Sequence, residues 1–309
     1  MRGLSDGRLL DREDIRMRLN ELLDLAVLQI VLGVRPRPID ICYSQHNLLQ
    51  MADSAQGFVD QVQASGRLLF SADEIPHRPG SRAVEAALRR LAARGAVRRL
   101  LTKSPVFVIV PPEHRSMGLP PVEWWLDDLM KHLGQPYYVG LLSAAADAGS
   151  SHFAPMETQV VVSKWMRPIE CGRLRLRFFQ RAHIPEDLVS TKQGLWAPLR
   201  VGSPALTAVD LATYAPCSPG QTLLILADLA ASISRRDLWK ALDTRRTVPA
   251  AQRLGFLLAR AGQEKLTSVV REWLAGRKLA AVPLDPGGGP AETDAEWGIQ
   301  VNANLEAAA

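Results

Sequence analysis

Residues 67–103, RLLFSADEIPHRPGSRAVEAALRRLAARGAVRRLLTK, constrain the fold more than any other stretch. They hold nine Arg and Lys against three acids, a net +6, whereas the whole chain carries +5. The remainder is therefore close to neutral. The pattern reads helix, turn, helix, hairpin. Ser71 and Glu74 stand at capping-box spacing, which starts a short helix. Pro76, Pro79 and Gly80 end it and make a turn. Ser81 caps a second helix and Gly95 stops it. Val84, Leu88 and Leu91 recur at i, i+4, i+7 and form one buried stripe. Arg82, Glu85 and Arg89 share another face, flanked by Arg90 and Arg94. Residues 97–101 and 106–110 then read as strands around Thr102-Lys103-Ser104-Pro105, and 68–70 as a short strand pairing with them. A helix-turn-helix followed by a basic hairpin is a winged helix.

In such a module the second helix enters the major groove and its N-terminal half meets base edges. Arg82, Glu85 and Arg89 are the candidate base readers. Arg98, Arg99 and Lys103 suit phosphate contact from the wing. Arg78, Ser81 and Arg90 complete the candidate DNA-binding set, and double-stranded DNA is the expected partner. The competing reading is a solvated basic face on an ordinary helix pair. Confinement of the charge excess to one predicted module favours nucleic acid.

A chain of 309 residues with 47% hydrophobic residues holds two domains more readily than one. A pI near 9.3 favours an acidic partner. Cys42, Cys171 and Cys217 are odd in number and far apart, with neither metal spacing nor a disulfide framework, so a reducing cytoplasm fits. The longest apolar run, 22–34, is broken by Asp24 and Gln29 and is too short for a bilayer. The residues before it carry both signs of charge, unlike a signal peptide.

Along the chain, 11–32 has helical periodicity through Ile15, Leu19, Leu22, Ala26 and Ile30, and Arg35-Pro36-Arg37-Pro38 breaks it. Met51 begins a segment that reads as a clean domain start. Residues 1–50 are expected to be an upstream extension, or else a dimerisation helix and linker. Residues 55–65 read as a first helix with Phe58, Val59 and Val62 inward and Gly66 as its stop. A second domain is expected from about residue 116. Pro120 and Pro121 open a helix whose stripe is Val122, Leu126, Leu129, Met130 and Leu133, with Trp124 and Trp125 in core or inter-domain roles. Residues 138–148 read as a second, buried helix.

Residues 158–163, 173–179 and 195–201 read as strands. The middle one alternates Arg173, Arg175 and Arg177 with Leu174, Leu176 and Phe178, a basic ladder against an apolar face. Solvated strand arginines are the ordinary reading, and contact with an anionic partner the sharper one. Ser203-Pro204 opens a helix through Tyr214, and 221–231, 234–242, 248–261 and 263–275 give four more. Their caps are Ser234 with Asp237, Thr247, Gly262 and Gly276. A Gly/Pro loop at 286–290 precedes a last strand at 297–305. The fold class expected is α+β: an N-terminal winged helix-turn-helix (51–115), then a mixed α/β domain (116–309) of small sheet plus helical cluster.

Catalytic motifs are not evident. The histidines have no H-x-x-x-H or H-E-x-x-H spacing, and there is no G-x-S-x-G elbow, P-loop or G-x-G-x-x-G. Gly202-Ser203 looks like the start of a nucleotidyltransferase motif, but no paired carboxylates follow. Glu157 and Lys164 are too far apart for a nuclease strand. His152, His183 and Asp210 read as surface or cap residues. No cofactor or metal is implied.

At this point the residues resemble a family. The stretches VIVPPEHRSMGLPPVEWWLDDLMKHLGQPYYVGLLSAAADAG (108–149), VVVSKWMRPIECGRLRLRFF (160–179), RVGSPALTAVDLATY (200–214), QRLGFLLARAG (252–262) and VPLDP (282–286) are similar, in order and spacing, to the AbiEi-like antitoxins and transcriptional regulators of type IV (AbiE) toxin–antitoxin systems. The resemblance runs from about Met51 to the C-terminus. Asp147-Ala148-Gly149 departs from it, since relatives often carry a His near this glycine. The resemblance implies that the winged helix represses the operon's own promoter, and that the C-terminal domain counteracts a nucleotidyltransferase-like toxin encoded downstream. It supplies no catalytic residues. Arg82, Glu85, Arg89, Arg98, Arg99 and Lys103 correspond to its DNA-binding module by place in helix and wing. Arg173, Arg175 and Arg177 are the candidate partner contact. A ligand-responsive repressor without a toxin, a nucleic-acid enzyme with a helix-turn-helix appendage, and a winged-helix adaptor for protein remain open alternatives.

Overall fold

The computed structural model describes residues 55–75, 82–101, 105–150 and 156–305. The expectations for residues 1–50, for the 76–81 turn with Arg78 and Ser81, for Lys103 in the hairpin turn and for His152 lie outside the described residues. The described residues from Val59 onward belong to one compact unit. Helix α1, Ala55–Ala64, carries Phe58, Val59 and Val62 as its buried residues, and Gly66 follows at φ +82°.

Strand β1 (Leu69–Ser71), helix α2 (Arg82–Ala93), β2 (Val97–Arg99) and β3 (Val106–Ile109) follow. The three strands make an antiparallel sheet ordered β1-β3-β2, with Leu69 opposite Val108 and Val97 opposite Ile109. The apolar stripe of α2 is buried as read: Val84, Leu88 and Leu91 are each less than a tenth exposed. The helix expected after Ser71 is a single 3₁₀ turn, Ala72–Glu74. Its capping box is present. The Ser71 hydroxyl accepts from the Asp73 N–H, and the Glu74 carboxylate accepts the Ser71 N–H at 2.7 Å. Ile75, held extended before Pro76, ends it. Glu74 also pairs with Arg67 at 2.9 Å. Burial raises its pKa, but the hydrogen bonds from Arg67 and the Ser71 N–H and the charge of Arg67 outweigh this, so the carboxyl sits below its usual range. Ser71→Ala is expected to destabilise the protein by about 1 kcal/mol, the usual cost of a lost cap. Thermal unfolding checks this, and an unchanged Tm would mean the cap contributes nothing.

The second sheet has six strands: β4 (Tyr137–Val139), β5 (Thr158–Val162), β6 (Ile169–Cys171), β7 (Leu174–Gln180), β8 (Val189–Lys192) and β9 (Leu199–Gly202), ordered β6-β7-β5-β4-β9-β8. Central β4 runs antiparallel to β5 and parallel to β9. This corrects the reading of 138–148 as one helix. Tyr137, Tyr138 and Val139 favour the pleated surface, Gly140 turns the chain, and the helix is α4, Leu141–Asp147. The helix expected from Pro120 is likewise broken. A 3₁₀ turn, Val122–Trp124, precedes α3 (Leu126–His132), with Trp125 between them at φ −143°. The break buries the Trp125 ring completely and lets its Nε1–H donate to the Pro120 carbonyl at 3.3 Å. Edge strands β6 and β8 have no counterpart in the pattern of the residues, and the strand expected at 195–201 is the shorter β9.

Tyr138, Val161 and Phe179 align across β4, β5 and β7 and face the helical cluster. That cluster is α5 (Pro204–Tyr214), α6 (Pro219–Leu229), α7 (Arg235–Arg245), α8 (Val248–Arg260) and α9 (Glu264–Leu274). The Ser203 hydroxyl accepts from the Leu206 N–H, Ser218 forms a capping box with Gln221, and Ser234 accepts from the Asp237 N–H. Thr247 is not a side-chain cap; its hydroxyl donates to the Arg245 carbonyl at 3.1 Å. The tail strand contracts to Ile299–Gln300, in a small sheet with Val282–Pro283 and Thr293–Asp294. It docks on α8 because Gly255 has no side chain: a Cβ there would lie 2.0 Å from the Trp297 ring. The class is α+β.

Candidate nucleic-acid interface

On α2, Arg82, Glu85 and Arg89 fall within about 60° of one another around the axis, on a face beside the buried stripe. All three are exposed, as is Arg90. Glu85 and Arg89 form an i,i+4 ion pair at 3.6 Å with both side chains more than half exposed. Such a pair is weak and leaves the guanidinium available to exchange partners. Glu85 and Arg89 meet Arg99 around a groove of about 510 Å³ between α2 and its sheet, floored by Val84, Leu88 and Phe107. Two helix candidates, Glu85 and Arg89, thus share one concave face with the hairpin's Arg99.

Arg98 and Arg99 are exposed on β2. Arg99 Nε donates to the Leu101 carbonyl at 2.9 Å. The Arg98 guanidinium lies over Gly118, where a Cβ would approach it to 3.2 Å and where φ is +85°. The Cys171 thiol on β6 donates to the Arg99 carbonyl at 3.7 Å. Burial pushes that thiol's pKa up, and Arg98 opposes the shift. This contact sets the β6–β7 hairpin beside β2. Two basic stretches some seventy residues apart in the chain therefore adjoin in space, which no sequence pattern announces.

The three arginines read as one ladder are not equivalent. Arg173 lies in the turn before β7, and Arg175 and Arg177 lie on the strand. Arg177 pairs with Glu157 at 3.4 Å and covers the Phe179 ring, 5.3 Å from its centroid. Phe179 stands on the same strand face, so that face is basic at one end and apolar at the other. Arg173 and Arg175 are exposed and form no ion pair among the described residues.

Asp210 is neither a surface nor a cap residue. It is fully buried and receives Arg181 at 2.8 Å and the Tyr138 hydroxyl at 2.5 Å. Arg181, 2% exposed, is further held by the His183 carbonyl and the Thr244 hydroxyl. Burial holds the Asp210 carboxyl above its usual range against the pull of Arg181 and Tyr138. The cluster ties β4, the end of β7, α5 and α7 together, far from solvent, and is a fixture of the core. Asp147, where the sequence departs from its resemblance, pairs with Lys192 at 2.5 Å.

Among solved structures, the RV2827C protein from Mycobacterium tuberculosis is similar in fold, with a TM-score of 0.57 and 16% identity, over 78% of this chain and 89% of that one. No curated protein matches. No described helix is long and apolar enough to cross a membrane. The family model described as the AbiEi antitoxin C-terminal domain matches residues 138–260, a stretch that runs from β4 to the end of α8 and takes in most of the large sheet and its helical cover. Residues 138–260 are thus similar to the AbiEi antitoxin C-terminal domain.

Proposed function

We propose that the protein is a DNA-binding autorepressor and antitoxin of a type IV toxin–antitoxin system, and that it counteracts a nucleotidyltransferase-like toxin. The match at 138–260 carries the antitoxin half of this reading. An antitoxin implies a toxin partner. The exposed cationic face of α2, with β2 beside it, supports the DNA half. Residues 51–115 act as a winged helix-turn-helix and 116–309 as the antitoxin domain, and both work without covalent chemistry. Arg82 and Arg89 read bases; Arg98, Arg99 and Lys103 hold phosphates.

The test of the antitoxin half is co-expression. The adjacent downstream gene is expressed alone, with the full chain, and with residues 116–309. Arrest of growth by the neighbour, and rescue by the full chain and the fragment alike, is expected. Toxicity that neither of them relieves, or a harmless neighbour, would defeat this half. The DNA half predicts a steep loss of promoter affinity with salt, about 0.9 in log–log slope per phosphate neutralised. Arg98→Ala with Arg99→Ala is expected to lower that slope by about 1.8. A salt titration of promoter binding checks it, and an unchanged slope would remove the wing from the interface.

A further inference from the structure

Residues 164–177, KWMRPIECGRLRLR, carry five cations and one acid. Their first part, Lys164-Trp165-Met166-Arg167, lies in the connection from β5 to β6. Because the sheet order is β6-β7-β5, this connection passes across β7. Trp165 is 66% exposed. Lys164, Arg167, Arg173 and Arg175 are exposed, and none forms an ion pair among the described residues. An exposed indole flanked by Lys164 and Arg167, with Arg173 and Arg175 further along the hairpin and Glu170 across from Arg175, has the chemistry that holds unpaired bases, with rings stacking on the indole and phosphates tracking the cations.

We propose that the β5–β6 connection and the β6–β7 hairpin bind single-stranded nucleic acid, with a base stacked on Trp165 and the backbone held by Lys164, Arg167, Arg173 and Arg175. A duplex does not suit this patch, because its base faces are already covered by their neighbours and an exposed indole would meet only backbone. The α2 face presents no exposed aromatic, and it suits a duplex. The contact of Cys171 with the Arg99 carbonyl places the two patches side by side.

The experiment is fluorescence anisotropy of labelled single strands of about 12 nucleotides, a length within the site sizes of single-strand-binding domains, on the full chain. Promoter duplex serves as a separate probe. Trp165→Ala is expected to weaken single-strand binding roughly 5- to 150-fold, the range that one stacked base provides. Trp165→Phe should retain most of the affinity, and neither change should alter duplex binding. Arg173→Ala with Arg175→Ala should lower the single-strand salt slope by about 1.4. Absence of single-strand binding at low salt, equal affinity of wild type and Trp165→Ala, or displacement by duplex as readily as by single strand would each overturn the proposal. Loss of promoter binding with single-strand binding intact would count against the repressor reading alone.

Discussion

Asp210→Ala is expected to destabilise the protein by about 3–5 kcal/mol, the cost of leaving a buried charge without its partner. Arg181 would keep its contacts to the His183 carbonyl and the Thr244 hydroxyl but lose the carboxylate at 2.8 Å, with 2% of its surface exposed to water. Tyr138, also fully buried, would lose the acceptor of its hydroxyl. Denaturant unfolding measures the effect as a lower midpoint at unchanged slope. The double variant Arg181→Met, Asp210→Leu removes both charges and should recover most of the loss, since apolar replacement of a whole buried pair is often neutral or better. A single variant that loses no more than about 1 kcal/mol, well short of the cost of an uncompensated buried charge, or a double variant as unstable as the single, would show that the two side chains do not depend on each other.

The second large effect is expected on DNA. Arg82→Ala with Arg89→Ala should cost about 2–6 kcal/mol of discrimination between promoter and unrelated duplex, at roughly 1–3 kcal/mol for each good bidentate contact to guanine. Non-specific affinity at low salt should fall much less, because phosphate contacts supply it. Both side chains are exposed and the stripe beneath them is untouched, so folding should be preserved. Competition binding at fixed salt separates the two terms. Equal losses on both duplexes would reassign the pair from reading bases to holding backbone.

Some of this organisation was legible in the residues and some was not, for identifiable reasons. Ser203-Pro204 announced α5 to the residue, because a hydroxyl cap and a first-turn proline act within one turn of chain. The stripe of Val84, Leu88 and Leu91 was equally plain. Tyr137-Tyr138-Val139 was hidden because the small apolar residues after Gly140 extend a helical period back over it. A strand of three residues has too little alternation to compete. Strands β6 and β8 escaped because edge strands bury few side chains, and Val189-Ser190-Thr191-Lys192 is mostly polar. The Arg181–Asp210 pair spans 29 residues, and the meeting of Cys171 with Arg99 spans 72; local pattern holds no record of either. The candidate DNA residues were found from charge and helical spacing alone. The meeting of Glu85 and Arg89 with Arg99 around one groove is a tertiary fact that local pattern does not carry.

The place of β4 in the large sheet sets an order on how the protein is made. One edge of β4 is closed by β5, whose residues begin 19 positions after Val139, at Thr158. The other edge waits for β9, and Val139 meets Val201 62 residues later. At ribosomal rates of about 5–20 residues per second, that interval lasts roughly 3–12 s. Throughout it, a growing chain carries an open parallel edge on its central strand, the kind of edge that recruits other chains. The large sheet is therefore completed only when β9 has been made, and the helices that cover it follow later still. A ribosome that stalls just before β9 leaves behind strands β6-β7-β5-β4 with an unpaired flank on β4, a substrate for chaperones and proteases.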